Sequence, residues 1–311
     1  MNLKHESVLL EESIKALAIK EDGVYVDCTL GGGGHSRHIC ERLSEKGILI
    51  GIDQDEYALN KSRKRLSAFA CDIRLVKDNF RNIKSILEQE KIDKVDGILM
   101  DLGVSSFQLD DESRGFSYRN SARLDMRMDP QKEKDAHFVI NHYTRKELAK
   151  VLKEYGEERF AWKIAGKIVD YRAKETIETT GELEQIVKES IPAKFRRTGG
   201  HPAKRTFQAI RIEVNDELGV LENTLDDAVD ALQSKGRLAI ITFHSLEDRI
   251  VKNRFKQWAD PCTCPPEFPV CNCGKEPIVR LVSKKPILPT QEEQDANPRS
   301  KSAKLRIAEK I

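Results

Sequence analysis

No apolar run in this 311-residue sequence approaches the length needed to cross a bilayer, roughly 20 residues. The N-terminal Met1-Asn2-Leu3-Lys4-His5-Glu6 also lacks the hydrophobic stretch of a secretion signal. Neither a membrane span nor a leader is expected, and a cytoplasmic location is. An excess of one charge is missing as well: 53 Lys and Arg face 51 Asp and Glu, a formal net charge of +2. That is too little to name a nucleic-acid partner, so the question passes to local patches. A secreted disulfide framework is not expected either, since the seven cysteines are an odd number, three scattered and four clustered late. Internal repeats and low-complexity tracts are also lacking. What remains, 39% hydrophobic and 33% charged, is an ordinary folded chain long enough for more than one structural unit.

The most informative stretch is Tyr25-Val26-Asp27-Cys28-Thr29-Leu30-Gly31-Gly32-Gly33-Gly34-His35-Ser36. A β-type run reaches an acid, then four consecutive glycines, then a helical segment through Arg37 and Leu43. A tight turn needs one or two glycines for positive φ. Four imply that something must approach the backbone closely, and a nucleotide-like ligand at a helix start is the expected occupant.

Along the chain, a short amphipathic helix is expected over residues 6–19. A continuous apolar run at Gly47–Asp53 then reads as a buried parallel strand, Ile73–Val76 and Val95–Asp101 are further strand candidates, and helices over Glu56–Leu66 and Ile83–Lys91 lie between them. This alternation predicts an α/β doubly wound sheet. From Phe107 to Asp129 the sequence is loop-like. A helical block follows, with capping boxes at Thr144-Arg145-Lys146-Glu147 and Thr179-Thr180-Gly181-Glu182. Sheet-like sequence returns after a long helix over Thr206–Gln233, with a strand at Gly236–His244 and a last edge strand at Leu305–Ala308. The helical block therefore interrupts one α/β domain. The expected division is 1–112 plus 205–311 for that domain and 113–204 for an all-α insertion.

Asp27, Asp53 and Asp101 fall at the carboxyl ends of strands, where open parallel sheets bind ligands. Asp53 stands where a ribose-binding carboxylate is expected. A dinucleotide fingerprint would need glycine at Ser36. The spacing Asp27-x-x-x-Gly31-x-Gly33 instead suits the turn of S-adenosylmethionine-dependent methyltransferases, with Thr29 in place of the first glycine of that pattern.

More motifs in one order sharpen this. They include Met100-Asp101-Leu102-Gly103-Val104-Ser105-Ser106-Phe107-Gln108-Leu109-Asp110, Arg114-Gly115-Phe116-Ser117-Tyr118 and Leu124-Asp125-Met126-Arg127-Met128-Asp129. Further on come His201-Pro202-Ala203-Lys204-Arg205-Thr206, Thr242-Phe243-His244-Ser245-Leu246-Glu247-Asp248-Arg249 and Asn297-Pro298-Arg299-Ser300-Lys301-Ser302. With them the chain resembles, nearly end to end, the bacterial ribosomal small-subunit methyltransferase H family. That family methylates the exocyclic N4 of a 16S rRNA cytosine in the decoding centre near the P site. The resemblance implies a Rossmann-like methyltransferase domain interrupted by a helical domain for substrate recognition, with S-adenosyl-L-methionine as cofactor and 16S rRNA of the 30S subunit as partner. It also implies that Gly33, Gly34 and His35 contact the cofactor, that Asp53 holds its ribose, and that Phe80, Asp101 and Gln108 complete the pocket. Two other readings stand beside it: a methyltransferase for another substrate, and a non-catalytic RNA-binding assembly factor. The oligomeric state is left open, a homodimer included.

Cytosine N4 is a poor nucleophile because its lone pair is delocalised into the ring, so an acceptor for N4–H is expected. Asp101 is the first candidate, standing without the two prolines and the aromatic that often follow it. His244 is the second, with a structural histidine at a strand end as the alternative. Phosphate contacts are expected from Lys194, Arg196, Arg197, Lys204 and Arg205, a basic stretch that includes Phe195, and from Arg127 with Arg114 and Arg123. Cys262, Cys264, Cys271 and Cys273 form C-x-C-x6-C-x-C. Four thiolates suit a structural zinc ion; four unliganded thiols are the alternative.

Overall fold

The computed structural model describes residues 7–196, 200–265 and 272–311. Arg197 and Cys271 lie outside them. The chain divides into two compact units, residues 1–103 with 218–311, and residues 104–217.

The first unit is built on a seven-stranded sheet: β1 (Val24–Asp27), β2 (Ile48–Asp53), β3 (Asp72–Lys77), β4 (Val95–Asp101), β5 (Leu232–Thr242), β6 (Val279–Leu281) and β7 (Lys304–Lys310), in the order β3-β2-β1-β4-β5-β7-β6. The first five are parallel, while β7 runs antiparallel to both β5 and β6. The expected α/β doubly wound class is the one observed. The order reverses between β1 and β4, and that switch point is where open sheets carry ligands. Leu49, Ile50, Ile98 and Leu99 are fully buried because apolar clusters cover both faces of the sheet, which is why β2 and the Gly97–Met100 part of β4 read as apolar runs. Leu305–Ala308 was expected at the edge. It lies inside the sheet, and the short β6, whose Val-Arg-Leu is too brief to stand out in the sequence, forms the edge instead.

The second unit is mainly helical: Ala136–His142, Arg145–Glu154, Ala161–Arg172, Thr180–Ser190 and Lys204–Asn215 surround Leu148, Ile164, Ile168, Leu183, Val187 and Ile210. Both expected capping boxes are present with their reciprocal bonds, at Thr144 with Glu147 and at Thr179 with Glu182. The loop expected over Phe107–Asp129 begins with a short helix, Ser106–Asp110, and a turn of 3-10 helix, Glu112–Arg114.

The long helix expected over Thr206–Gln233 is two helices. Asp216 caps the first in the left-handed region at φ +54°, and the second runs Glu217–Ala231. Phe207, Ile210 and Val214 join the core of the second unit, whereas Leu221, Leu225 and Val229 join that of the first. The apolar period continues through the break, so it conceals the change of core. The expected seams after 112 and 204 accordingly move to 103/104 and 217/218. Among the described residues no helix is long and apolar enough to cross a membrane.

Candidate active site

The carboxyl ends of β1, β2 and β4 bring Asp27, Asp53 and Asp101 to one end of the first unit's sheet, beside the glycine turn. Asp27 is buried, accepting from Ser36 Oγ at 2.7 Å and from the Thr29 N–H at 3.1 Å. Burial raises its carboxyl above the ordinary value despite those bonds. Asp53 accepts from the Gly31 N–H and from the Asp55 N–H, both at 2.8 Å. Burial pushes it up to about 6, with Asp55 and Asp27 adding to the rise. An ionised carboxylate offers about four lone-pair sites. Each Asp53 oxygen therefore has capacity left for a diol while the backbone bonds fix its orientation.

The turn owes its glycines partly to the chain itself. Gly31 and Gly33 have φ of +50° and +69°. A Cβ on Gly33 would stand 2.9 Å from Ser62 Oγ, and one on Gly34 would collide with Ser7 Oγ. Ser62 also donates to the Gly31 carbonyl at 2.8 Å. Ser7 and Ser62 thus occupy space that the sequence pattern alone assigned to a ligand.

His35 opens the helix Gly34–Cys40, buried, its Nε2 3.1 Å from the Val8 carbonyl. A carbonyl only accepts, so Nε2 carries the proton and Nδ1 is left bare. Burial pushes His35 down to about 4, so the ring is neutral at pH 7. Nδ1 faces Asp101 Oδ2 at 3.8 Å, too far for a hydrogen bond and, with a neutral ring, no ion pair. Asp101 keeps 26% of its side chain exposed, yet its Oδ1 is buried with no hydrogen-bond partner among the described residues. Burial, then the charges of Asp27 and Glu247, push its carboxyl up to about 8. A half-open acid with a bare buried oxygen, at a sheet switch point, is equipped to exchange a proton with a ligand. Its backbone N–H is held by Thr29 Oγ1 at 2.6 Å.

The family model for the MraW methylase family matches residues 2–311. This chain belongs to that family. A protein from Clostridium botulinum (strain 657 / Type Ba4) named ribosomal RNA small subunit methyltransferase H is 60% identical over 311 residues, covering 100% of each chain. One of the same name from Clostridioides difficile (strain 630) is 56% identical over the same span, again all of both chains. Among solved structures, an rRNA methylase from Streptococcus thermophilus overlaps loosely, at a TM-score of 0.43 and 12% identity over 97% of this chain and 93% of that one.

The remaining expected residues fall in several places. Phe80 follows β3 and packs half-buried against the core of the first unit. Gln108 belongs to the second unit, where it closes a capping box with Ser105. His244 also caps a helix: its Nδ1 accepts the Glu247 N–H at 3.4 Å at the start of Ser245–Ala259, while its Nε2, 3.1 Å from Glu247 Oε1, is buried with no hydrogen-bond partner among the described residues.

Arg127 is corrected too. Its Nε and Nη2 bind the two oxygens of Asp125 at 2.8 and 2.7 Å, and Nη1 donates to the Lys132 carbonyl at 2.6 Å. Burial alone would raise Asp125, but the bonds from Arg127 outweigh it and hold the carboxyl below its ordinary value. All three guanidinium nitrogens of Arg127 are thus committed within its own unit. Arg114 donates to the carbonyls of Arg127 and Met128, and Arg123 pairs with Asp135 at 2.7 Å. An acid-rich loop needs internal cations, and the sequence does not tell these from phosphate-facing ones.

Lys194, Lys204 and Arg205 are exposed, and Arg196 is half-buried with its Nε on the Ile191 carbonyl. Lys204 and Arg205 occupy the first turn of Lys204–Asn215, where the helix dipole disfavours cations. Cys262, Cys264 and Cys273 come together, their sulfurs all within 4.8 Å of one another. Thr29, Ser36 and Ser62 are the residues that sequence reasoning passed over. A hydroxyl beside a glycine turn was the available signal.

Proposed function

We propose that this chain transfers a methyl group from S-adenosylmethionine to the exocyclic N4 of a cytosine in 16S rRNA. In this reading the target lies in the decoding centre near the P site and is reached within the small subunit. The observation that carries the reading is Asp101, with Oδ1 buried and bare and the carboxyl raised to about 8 at the end of β4.

The residues at the strand ends fit the cofactor. Asp53 has acceptor capacity for the two ribose hydroxyls, Phe80 would offer an apolar face to the adenine, and the turn Gly31–Gly34 with His35 would hold the methionine end. The cofactor supplies a methyl group already activated on a positive sulfonium. A positive charge beside Asp101 favours its ionised form. The ionised carboxylate then accepts one N4–H, which localises the lone pair on nitrogen. When N4 takes that methyl group, with the bonding pair left on the donor sulfur, Asp101 would accept the N4 proton. Neutral His35 adds no positive charge that would hold Asp101 ionised afterwards, so the acid returns to its raised resting value and holds the proton until solvent takes it. The cytosine must leave its stack to reach this position. Lys194, Lys204, Arg205 and Arg196, in the second unit, supply phosphate contacts for the RNA.

Incubation with labelled S-adenosylmethionine and small subunits, naked rRNA or protein extract tests this. Label on a single cytosine of the rRNA is the expected result. Label on protein, or none, overturns it.

A further inference from the structure

The described residues of the connection between the helix Ser245–Ala259 and β6, 260–265 and 272–278, form no core of their own. From Asp260 to Ile278 no described side chain is buried. Its ends are nevertheless tied together, because the Ile278 N–H donates to the Trp258 carbonyl at 3.0 Å. Described stretches without secondary structure, brought back to one point like these, need something between them to hold their arrangement.

What lies between them is sulfur. Cys28, Cys40 and Cys71 are buried as small apolar residues usually are. Cys262, Cys264 and Cys273 are exposed or half-exposed, and yet their sulfurs converge within 4.8 Å of one another. Sγ of Cys262 and Cys273 stand 4.0 Å apart. That is nearly twice a disulfide bond, which is about 2.05 Å. It is close to the edge of a tetrahedron of sulfurs around zinc, roughly 3.8 Å for Zn–S bonds of about 2.3 Å. The Asn272 N–H points at Cys264 Sγ at 3.4 Å, the kind of backbone donor that steadies a metal thiolate. Lys275 Nζ donates to Thr263 Oγ1 at 3.2 Å, between Cys262 and Cys264 in the chain.

We infer that Cys262, Cys264 and Cys273 bind one zinc ion, which takes the place of an apolar core between these stretches. The donor set is all soft sulfur, which selects zinc over calcium or magnesium. On binding, each thiol releases its proton to solvent and forms a Zn–S bond with no change of oxidation state. The site is structural and separate from the strand ends that carry the methyl-transfer chemistry.

Metal analysis of the full-length protein, expressed with zinc and purified under reductant, tests the inference. About one zinc per chain is expected, lost in the Cys262→Ser/Cys273→Ser variant. Cobalt added to stripped protein should give a sulfur-to-metal charge-transfer band. Limited proteolysis should cut within residues 260–278 faster once a chelator has removed the metal. A protein without zinc and without the cobalt band overturns the inference, as does metal uptake unaffected by the two serines or a Cys262–Cys273 disulfide under reductant. Since none of these readouts uses methyl transfer, failure of the proposed activity leaves this test intact.

Discussion

The backbone N–H of Asp101 donates to Thr29 Oγ1 at 2.6 Å, so the last residue of β4 is clasped to the turn that follows β1. The backbone N–H of Thr29 donates to the buried Asp27 carboxyl at 3.1 Å. One residue thus links the acid at the root of the glycine turn to the acid assigned to N4. In the general turn pattern glycine occupies this place, and a glycine here would keep the bond to Asp27 but lose the clasp on Asp101.

Thr29→Val keeps the shape and removes the hydroxyl's bond to the Asp101 N–H. It is expected to lower stability by about 1–3 kcal/mol, the cost of leaving a buried polar group unpaired, and to reduce methyl transfer. Thr29→Ser keeps the hydroxyl and should stay near the parent in both. Urea unfolding together with the labelled-methyl assay decides it, and a fully active, stable Thr29→Val would show that the clasp is dispensable.

Asp101 also sets a pH dependence. Its folded-state value, about 8, is raised above the ordinary 3.8, so the folded protein binds more protons than the unfolded chain between these values. Stability from this group is therefore full below about pH 4 and is lost as pH rises towards 8. His35 works in the opposite sense: pushed down to about 4 from 6.5, it lets stability rise with pH across that window. From pH 6.5 to 8 His35 no longer opposes Asp101, and Asp27, raised by burial too, acts in the same sense as Asp101, so melting temperature should fall across that window. Asp101→Asn should flatten the fall, melt higher than the parent at pH 8.5, and lose methyl transfer. An unchanged slope in the variant would mean the acid is ordinary in the folded state.

The strand ends were legible in the sequence because each apolar run stops on an acid and because both sheet faces are covered. The occupant of the glycine turn was less so. Positive φ at Gly31 and Gly33 follows from the pattern, but the packing of Ser7 and Ser62 against it depends on residues distant in sequence. The break at Asp216 was invisible for a related reason: one apolar period serves two different cores on its two sides. Arginines in the loop before Asp129 read as phosphate ligands until their carboxylate partners, which lie only two to twelve positions away, are placed beside them.

Gly33→Ala tests the turn directly. The new methyl meets Ser62 Oγ at 2.9 Å and the residue must hold φ +69°. Left-handed backbone alone costs roughly 1–2 kcal/mol for a residue with a Cβ. Adding Ser62→Ala should recover only the part due to the clash. Full recovery in the double variant, measured by chemical unfolding, would mean that the backbone conformation costs nothing here.

Asp53 should reveal itself in cofactor affinity. Bonds to a charged acceptor contribute about 1.5–3 kcal/mol each, so removing one to a ribose hydroxyl weakens binding by roughly tenfold to a hundredfold. Asp53→Asn is expected to fall in that range by calorimetry. Its amide also presents a donor to the N–H of Gly31 or Asp55, so some loss of stability accompanies it. Parent-like affinity would remove Asp53 from the ribose role.

The basic residues divide into two classes that one salt titration separates. Lys204 and Arg205 are exposed on a helix start that gains nothing from cations, so their charge is available to an outside anion. Each phosphate that is no longer neutralised lowers the slope of log affinity against log salt by roughly 0.7–0.9. Lys204→Ala/Arg205→Ala should therefore bind rRNA fragments more weakly at low salt, with a shallower slope. Its melting temperature should stay close to the parent's, since it gives up only the exposed bond from Arg205 to the Glu157 carbonyl. Arg127→Ala should do the reverse. Removing it leaves Asp125 without its paired donor and frees the Lys132 carbonyl, so the variant melts lower while the salt slope stays at the parent value. A shallower slope from Arg127→Ala, with stability intact, would return Arg127 to the phosphate-binding set and make its bonds to Asp125 a resting state that RNA displaces.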